Sequence, residues 1–157
     1  MYIRKILIIS IIIIVLSIFY LSFDVYESYQ VSINNYDDIN NYVNNKDKTK
    51  LEGVLEIPTI NLKAGIVRNV DDGIIFVNEK LIAGHSGNCK VCYFDNLDNL
   101  TVGDNVYLYL DSVVEYKVES IKEMDKNHVY INSDLSLITC KKSDKNRRLL
   151  IGLRKIR

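Results

Sequence analysis

The chain has 157 residues, 48% of them hydrophobic and 25% charged, which suits one folded domain and argues against a disordered chain. Its 20 basic and 20 acidic side chains cancel, so it lacks the cationic surplus that nucleic-acid binding demands. Three cysteines are too few for a disulfide scaffold, and one proline with seven glycines excludes collagen-like or Pro-rich architectures.

The run from Ile6 to Phe23 carries no charge, and nine isoleucines fall within residues 1–23. As a helix this run spans about 27 Å, close to the hydrocarbon thickness of a bilayer, and satisfies its own backbone there. Arg4 and Lys5 precede it while Asp24 and Glu27 follow it. The positive-inside bias therefore predicts residues 1–5 in the cytoplasm, residues 6–23 as a single-pass transmembrane anchor, and the remainder outside the cell. The exit, Tyr20-Leu21-Ser22-Phe23-Asp24, has no small-x-small cleavage site, which favours a retained anchor over a removed signal peptide.

Residues 24–50 are polar and rich in Asn. Tyr29, Ile33, Tyr36 and Val43 are loosely spaced for one helical face, but the preferred reading is a solvated stalk that holds the following domain clear of the membrane. From Leu51 the pattern becomes short apolar segments parted by turn residues. Strands are predicted at Gly53–Ile57, Ile60–Val67, Gly73–Val77 and Lys80–Ala83. Asn105–Leu110 and Val113–Ile121 alternate with period two around Asp111-Ser112, a hairpin signal. Leu135–Thr139 and Leu149–Leu153 are compact runs of the kind that fill a barrel interior. A single short helix is predicted at Tyr93–Leu100, and a short polar loop at Lys141–Arg147. About eight strands in so few residues point to an all-β domain over 51–157, an antiparallel closed barrel or a sandwich.

Three chemically capable residues end or open predicted strands. His85 follows Ile82-Ala83-Gly84, Cys140 follows Leu137-Ile138-Thr139, and Arg147-Arg148 opens Leu149-Leu150-Ile151. A thiolate is a strong nucleophile whose formation a nearby cation favours, and an imidazole can protonate a leaving amine near neutral pH. A fixed guanidinium can hold an oxygen on which negative charge develops. Taken singly, such a cysteine is more often a small buried hydrophobe. Cys89-Lys-Val-Cys92 admits three readings: a small disulfide stiffening its loop, two loop thiols without a role, or half of a metal site. Its nearness to His85 also raises a mixed disulfide with Cys140. His128, in Lys126-Asn-His-Val-Tyr130, is expected at an exposed turn.

At these residues the sequence resembles the sortases. Leu135-Ser-Leu-Ile-Thr-Cys140 resembles the family's TLxTC signature, and His85 with Phe94-Asp-Asn-Leu97 resembles its strand-ending histidine and following Phe-x-x-Leu helix. Leu100-Thr-Val-Gly-Asp-Asn-Val-Tyr107 resembles the approach to the next strand. Leu55-Glu-Ile-Pro-Thr-Ile-Asn-Leu62 resembles the opening strand, and Arg148-Leu-Leu-Ile151 the strand led by a catalytic arginine. The matches run in family order from about residue 51 to 153.

The resemblance implies an eight-stranded sortase β-barrel with one or two short helices, at the outer face of a Gram-positive cell membrane. It implies transpeptidation, with Cys140 as nucleophile, His85 as general acid and base, and Arg148 (or, alternatively, Arg147) orienting the substrate and its oxyanion. No cofactor or metal is implied. The partners implied are surface proteins bearing an LPxTG-like sorting signal, and an amine acceptor such as a lipid-linked cell-wall precursor or a pilin lysine. Brevity and the anchor resemble class D most, then class B. The rival reading is an inactive sortase-like binding module at the cell surface. An L,D-transpeptidase fits poorly, because that family sets its His and Cys close together, whereas His85 and Cys140 lie 55 positions apart.

Overall fold

The computed structural model describes residues 2–45, 51–68, 70, 73–87, 89 and 92–156, which form two compact units, Met1–Asn34 and Asn35–Arg157. The first unit belongs to one long helix, α1 (Tyr2–Asn45). Its described apolar side chains between Ile6 and Phe23 stand wide open, from 51% exposure at Ile12 to 70% at Phe19. Among the described residues no helix is long and apolar enough to cross a membrane, so the structure lends no support to the expected transmembrane segment over 6–23. The side chains of Arg4, Lys5, Asp24 and Glu27, on which the orientation was read, lie outside the described set.

The expected solvated linker gives way to helix as far as Asn45, with residues 46–50 outside the described set. Apolar burial accounts for the difference. Ile39 and Tyr42, three positions apart on one stripe, are 2% and 3% exposed and pack with Leu51 and Val54. Tyr42 Oη also donates a hydrogen bond to the carbonyl of Glu52 at 3.3 Å. The last turns of α1 are thus part of the second unit.

Among its described residues that unit contains eight strands: β1 (Gly53–Ile57), β2 (Leu62–Ile66), β3 (Ile75–Asn78), β4 (Leu81–Ala83), β5 (Asn105–Tyr109), β6 (Val113–Asp125), β7 (Leu135–Lys141) and β8 (Asp144–Lys155). Their order across the sheet is β2-β1-β5-β6-β8-β7-β4-β3. A bridge from Ile66 to Ile74, with Val67 N–H donating to the Ile74 carbonyl at 2.8 Å, brings the two ends together, and the barrel is nearly closed. The expected antiparallel barrel is corrected at two places: β4 and β7 run parallel, and so does the bridge from Ile66 to Ile74.

Alternation builds the interior. Val106 and Leu108 from β5, Leu135 and Leu137 from β7, and Leu149, Ile151 and Leu153 from β8 all enter one core. The predicted β5–β6 hairpin is present, pairing Tyr109 with Val113 around Asp111-Ser112. The predicted helix at Tyr93–Leu100 is a turn followed by one 3-10 turn, Leu97–Asn99. Phe94, Leu97 and Leu100 are 1%, 0% and 4% exposed, and their spacing of three aligns on a 3-10 turn.

The turn before β5 explains the Gly-Asp pair in its approach. Gly103 takes φ +103, a left-handed conformation that suits glycine. Asp104 then closes the turn, accepting hydrogen bonds from Thr101 N–H at 2.7 Å and Thr101 Oγ1 at 3.1 Å through one oxygen. Its other oxygen accepts from Thr59 Oγ1 at 3.1 Å, tying this turn to the 3-10 turn Pro58–Ile60. The Thr101 backbone bond holds the Asp104 carboxyl below the usual carboxylate range.

Candidate active site

The predicted polar loop Lys141–Arg147 is mostly strand. β7 continues to Lys141 and β8 starts at Asp144, leaving a tight turn at Lys142-Ser143. Between Cys140 and Lys141 the register shifts, and Lys145, Asn146 and Arg147 bulge from β8 without partners on β7. The Arg148 guanidinium fills part of that gap, donating from Nη1 to the Lys145 carbonyl at 2.9 Å and the Arg147 carbonyl at 3.2 Å. A guanidinium carries five N–H donors, so this anchoring leaves others for a ligand.

Register decides which arginine meets the cysteine. Cys140 on β7 is the cross-strand partner of Arg148 on β8, and Arg148 is in turn the partner of Met124 on β6. Leu149, Ile151, Leu137 and Leu135 point into the core, so by alternation Cys140 and Arg148 share the outer face. Arg147 pairs with Asp125 and takes the opposite face. Of the two sequence alternatives, the structure brings Arg148 to Cys140.

His85 reaches the same row from the other side. The last strand pair between β4 and β7 is Ala83 with Ile138. The register continues beyond it, with Gly84 N–H donating to the Ile138 carbonyl at 3.3 Å and Thr139 Oγ1 donating to the Gly84 carbonyl at 2.8 Å. Two residues further along, His85 stands level with Cys140. Ile82 lies in the core, and a Cβ on Gly84 would meet Ile74 at 2.7 Å and Phe94 at 2.9 Å, so both face inward and His85 faces out. The outer face therefore carries His85, Cys140 and Arg148 on three neighbouring strand positions, about 4.8 Å per step. All three are half-buried.

Beneath that row lie Ala83, Ile138 and Leu150, again mutual register partners, and beneath those Leu81, Ser136 and Gly152. This lattice makes a mostly apolar floor leading to the thiol. Beside Cys140 opens a pocket of about 160 Å³ lined by Ser86, Phe94, Thr139, Lys142 and Leu149 among others. Its rim is charged: Lys141 is paired with Glu123, and Lys142 Nζ lies 3.7 Å from Asp95 Oδ2. The sequence reading missed Ser86, Asp95, Glu123, Lys141 and Lys142. Ser86 could have been found beside His85, while nothing in the sequence brings Glu123 of β6 to this rim.

Cys89 and Cys92 are joined as a disulfide with Cα atoms 5.6 Å apart, in the loop that follows His85. Of the three readings the disulfide holds, and Cys140 is the free cysteine. His128 is exposed at the turn after β6, with Nδ1 3.8 Å from Asp125 Oδ1. Among the described residues no group of three His, Cys, Asp or Glu side chains could hold a metal ion.

Residues 55–155 match the family model of the sortase domain. The same fold is found in a lid mutant of Streptococcus agalactiae sortase C1, at 24% identity over 69% of this chain and 71% of that one, TM-score 0.59. It is found in sortase A from Corynebacterium diphtheriae, at 22% identity over 78% and 68%, TM-score 0.62. Sortase C-1 from Actinomyces oris matches at 21% identity over 80% and 84%, TM-score 0.60. No curated protein sequence matches the chain. With the family model spanning nearly the whole barrel, the chain belongs to the sortase family of cysteine transpeptidases.

Proposed function

We propose that the chain is a membrane-anchored sortase that cleaves an LPxTG-like sorting signal and transfers the acyl part to an amine. The observation that carries this is the outer-face row His85, Cys140, Arg148 on adjacent strand positions. The Cys140 thiolate attacks the carbonyl carbon before the scissile bond, forming C–S and moving the carbonyl electron pair onto oxygen. Arg148 holds that oxyanion with its remaining N–H donors. Collapse breaks C–N as His85 gives its proton to the departing amine, leaving a thioacyl enzyme. The acceptor amine then attacks the thioester, His85 takes its proton, and Cys140 leaves as thiolate. Through both steps the acyl half must stay bound, which suits the apolar floor below Cys140.

The acceptor is a cell-wall precursor amine or a pilin lysine, and the substrates are surface proteins carrying the signal. The anchor over 6–23 rests on the uncharged run, whose length as a helix matches the hydrocarbon thickness of a bilayer. Residues 1–5 are then cytoplasmic, and the barrel faces the cell exterior. Sodium-carbonate extraction of membranes, with protease added to intact protoplasts, tests this: the chain stays with the membrane and loses its barrel to the protease. Recovery in the soluble fraction contradicts the anchor.

The activity is tested with the full chain in detergent, a panel of LPxTG-like peptides and an amine acceptor. A ligated product that depends on Cys140, and is absent with Cys140→Ala, is expected. An equal yield from Cys140→Ala contradicts the reading.

A further inference from the structure

The residue after His85 is tied to the nucleophile itself. Ser86 Oγ donates a hydrogen bond to the backbone carbonyl of Cys140, fifty-four positions away. On the other side of His85, Thr139 Oγ1 donates to the Gly84 carbonyl at 2.8 Å. The His85 carbonyl accepts from Phe94 N–H at 3.1 Å, and Gly87 N–H donates to Asp95 Oδ1 at 2.7 Å. β4 ends at Ala83, so the ladder no longer sets the spacing between the two segments at His85. Beyond the Gly84 backbone bond to Ile138, the bond that reaches Cys140 comes from the Ser86 side chain.

We infer that Ser86 is a positioning residue for the transfer reaction: its hydroxyl fixes the imidazole of His85 against the thiol of Cys140. The inference rests on the reading of His85 and Cys140 as a working pair. Without the hydroxyl, the loop from Gly84 to Gly87 keeps its ties to Ile138, Thr139, Phe94 and Asp95 but loses the side-chain bond to the Cys140 carbonyl. The imidazole then shifts relative to the thiol, where it stabilises a thiolate and reaches a leaving amine less well.

The pairing can be read without any substrate, because Cys140 is the free cysteine when Cys89 and Cys92 are joined. The full chain is kept oxidised and alkylated with iodoacetamide across pH 5 to 10, since the thiolate is the reacting form. Of the charged groups around Cys140, Arg148 on β8, Glu123 on β6, Lys141 and Lys142 at the hairpin, and Asp95 and Asp98 after the His85 loop all stay in place. Ser86→Ala changes no charge, so any shift in the profile reports geometry.

His85→Ala is expected to slow alkylation at neutral pH and move the profile upward. Ser86→Ala is expected to move it the same way, with a loss of about fivefold at pH 7, the scale of one hydrogen bond. Ser86→Thr restores the wild-type profile and its isostere Ser86→Val does not. Combining His85→Ala with Ser86→Ala adds nothing beyond His85→Ala, because the serine acts through the histidine. A wild-type profile for both Ser86→Ala and Ser86→Val overturns the inference, and so does full additivity with His85→Ala. If His85→Ala itself leaves the profile unmoved, the pairing of His85 with Cys140 fails, and the inference fails with it.

Discussion

Cys140 and Arg148 are direct cross-strand partners on the outer face of the barrel, while the adjacent Arg147 pairs with Asp125 on the opposite face. Because side chains alternate along a strand, a slip of one residue would exchange the two arginines. Three apolar neighbours on β8, Leu149, Ile151 and Leu153, prevent that slip, since all of them would leave the core with it.

Arg148→Ala is therefore expected to lower kcat about 10²- to 10³-fold, the scale of removing one oxyanion donor. Arg147→Ala stays within a few-fold of the parent. Arg148→Lys does not restore the rate, because an ammonium cannot both bond the Lys145 carbonyl and present a second donor in fixed geometry. Steady-state kinetics on one ligated peptide separate the two arginines.

Gly84 lets the chain just after β4 pass close to Ile74 and Phe94, where a Cβ would sit 2.7 Å and 2.9 Å from them. Gly84→Ala is expected to cost about 1–3 kcal/mol in stability through overpacking. It also displaces Phe94, which anchors the His85 carbonyl, so activity falls at temperatures where the protein remains folded. Urea unfolding followed by assay below the transition checks both effects.

Asp104 is held below the usual carboxylate range, chiefly by the Thr101 backbone bond. A depressed folded-state pKa adds stability above the unfolded value and loses it as pH falls through the folded one. Asp104→Ala is expected to lower the Tm by a few degrees at pH 7, and the gap to the parent narrows as the pH falls below the ordinary aspartate value of 3.8. The group is solvent-accessible, so the effect stays small and shrinks in high salt. Thermal melts across this pH range read it directly.

Tyr42 is 3% exposed on the last turns of α1 and packs with Leu51 and Val54. Tyr42→Ala is expected to destabilise the barrel unit by about 3 kcal/mol, a typical cost for deleting a buried aromatic side chain. Tyr36→Ala, on the exposed side of the same helix at 62% exposure, leaves stability unchanged. Denaturant midpoints of the two variants test whether this helix end is structural.

The strands that place the site were legible as compact apolar runs, Leu135–Thr139 and Leu149–Leu153, of the kind that fill a barrel interior. The hairpin at Asp111-Ser112 and the disulfide alternative for Cys89 and Cys92 were legible for equally local reasons. The parallel pairing of β4 with β7 was not, because partner choice depends on contacts between segments 55 residues apart, as Leu81 and Ser136 are. The start of β8 was hidden by its charge: Asp144, Lys145 and Asn146 are exposed, although Asp144 pairs with Lys141 and Arg147 with Asp125. Glu123 and Asp95 carry no mark in the sequence; folding alone brings them to the rim of the Cys140 pocket.

The central claim is that Cys140 accepts an acyl group in a site completed by His85 and Arg148. Intact-protein mass spectrometry of the full chain, quenched in acid minutes after mixing with LPxTG-like peptides and no amine, tests it most directly. The account predicts one adduct of the acyl-fragment mass, mapped to Cys140, absent in Cys140→Ala and released by an added amine. An adduct mapped to any other residue, or one that forms equally in Cys140→Ala, would contradict it.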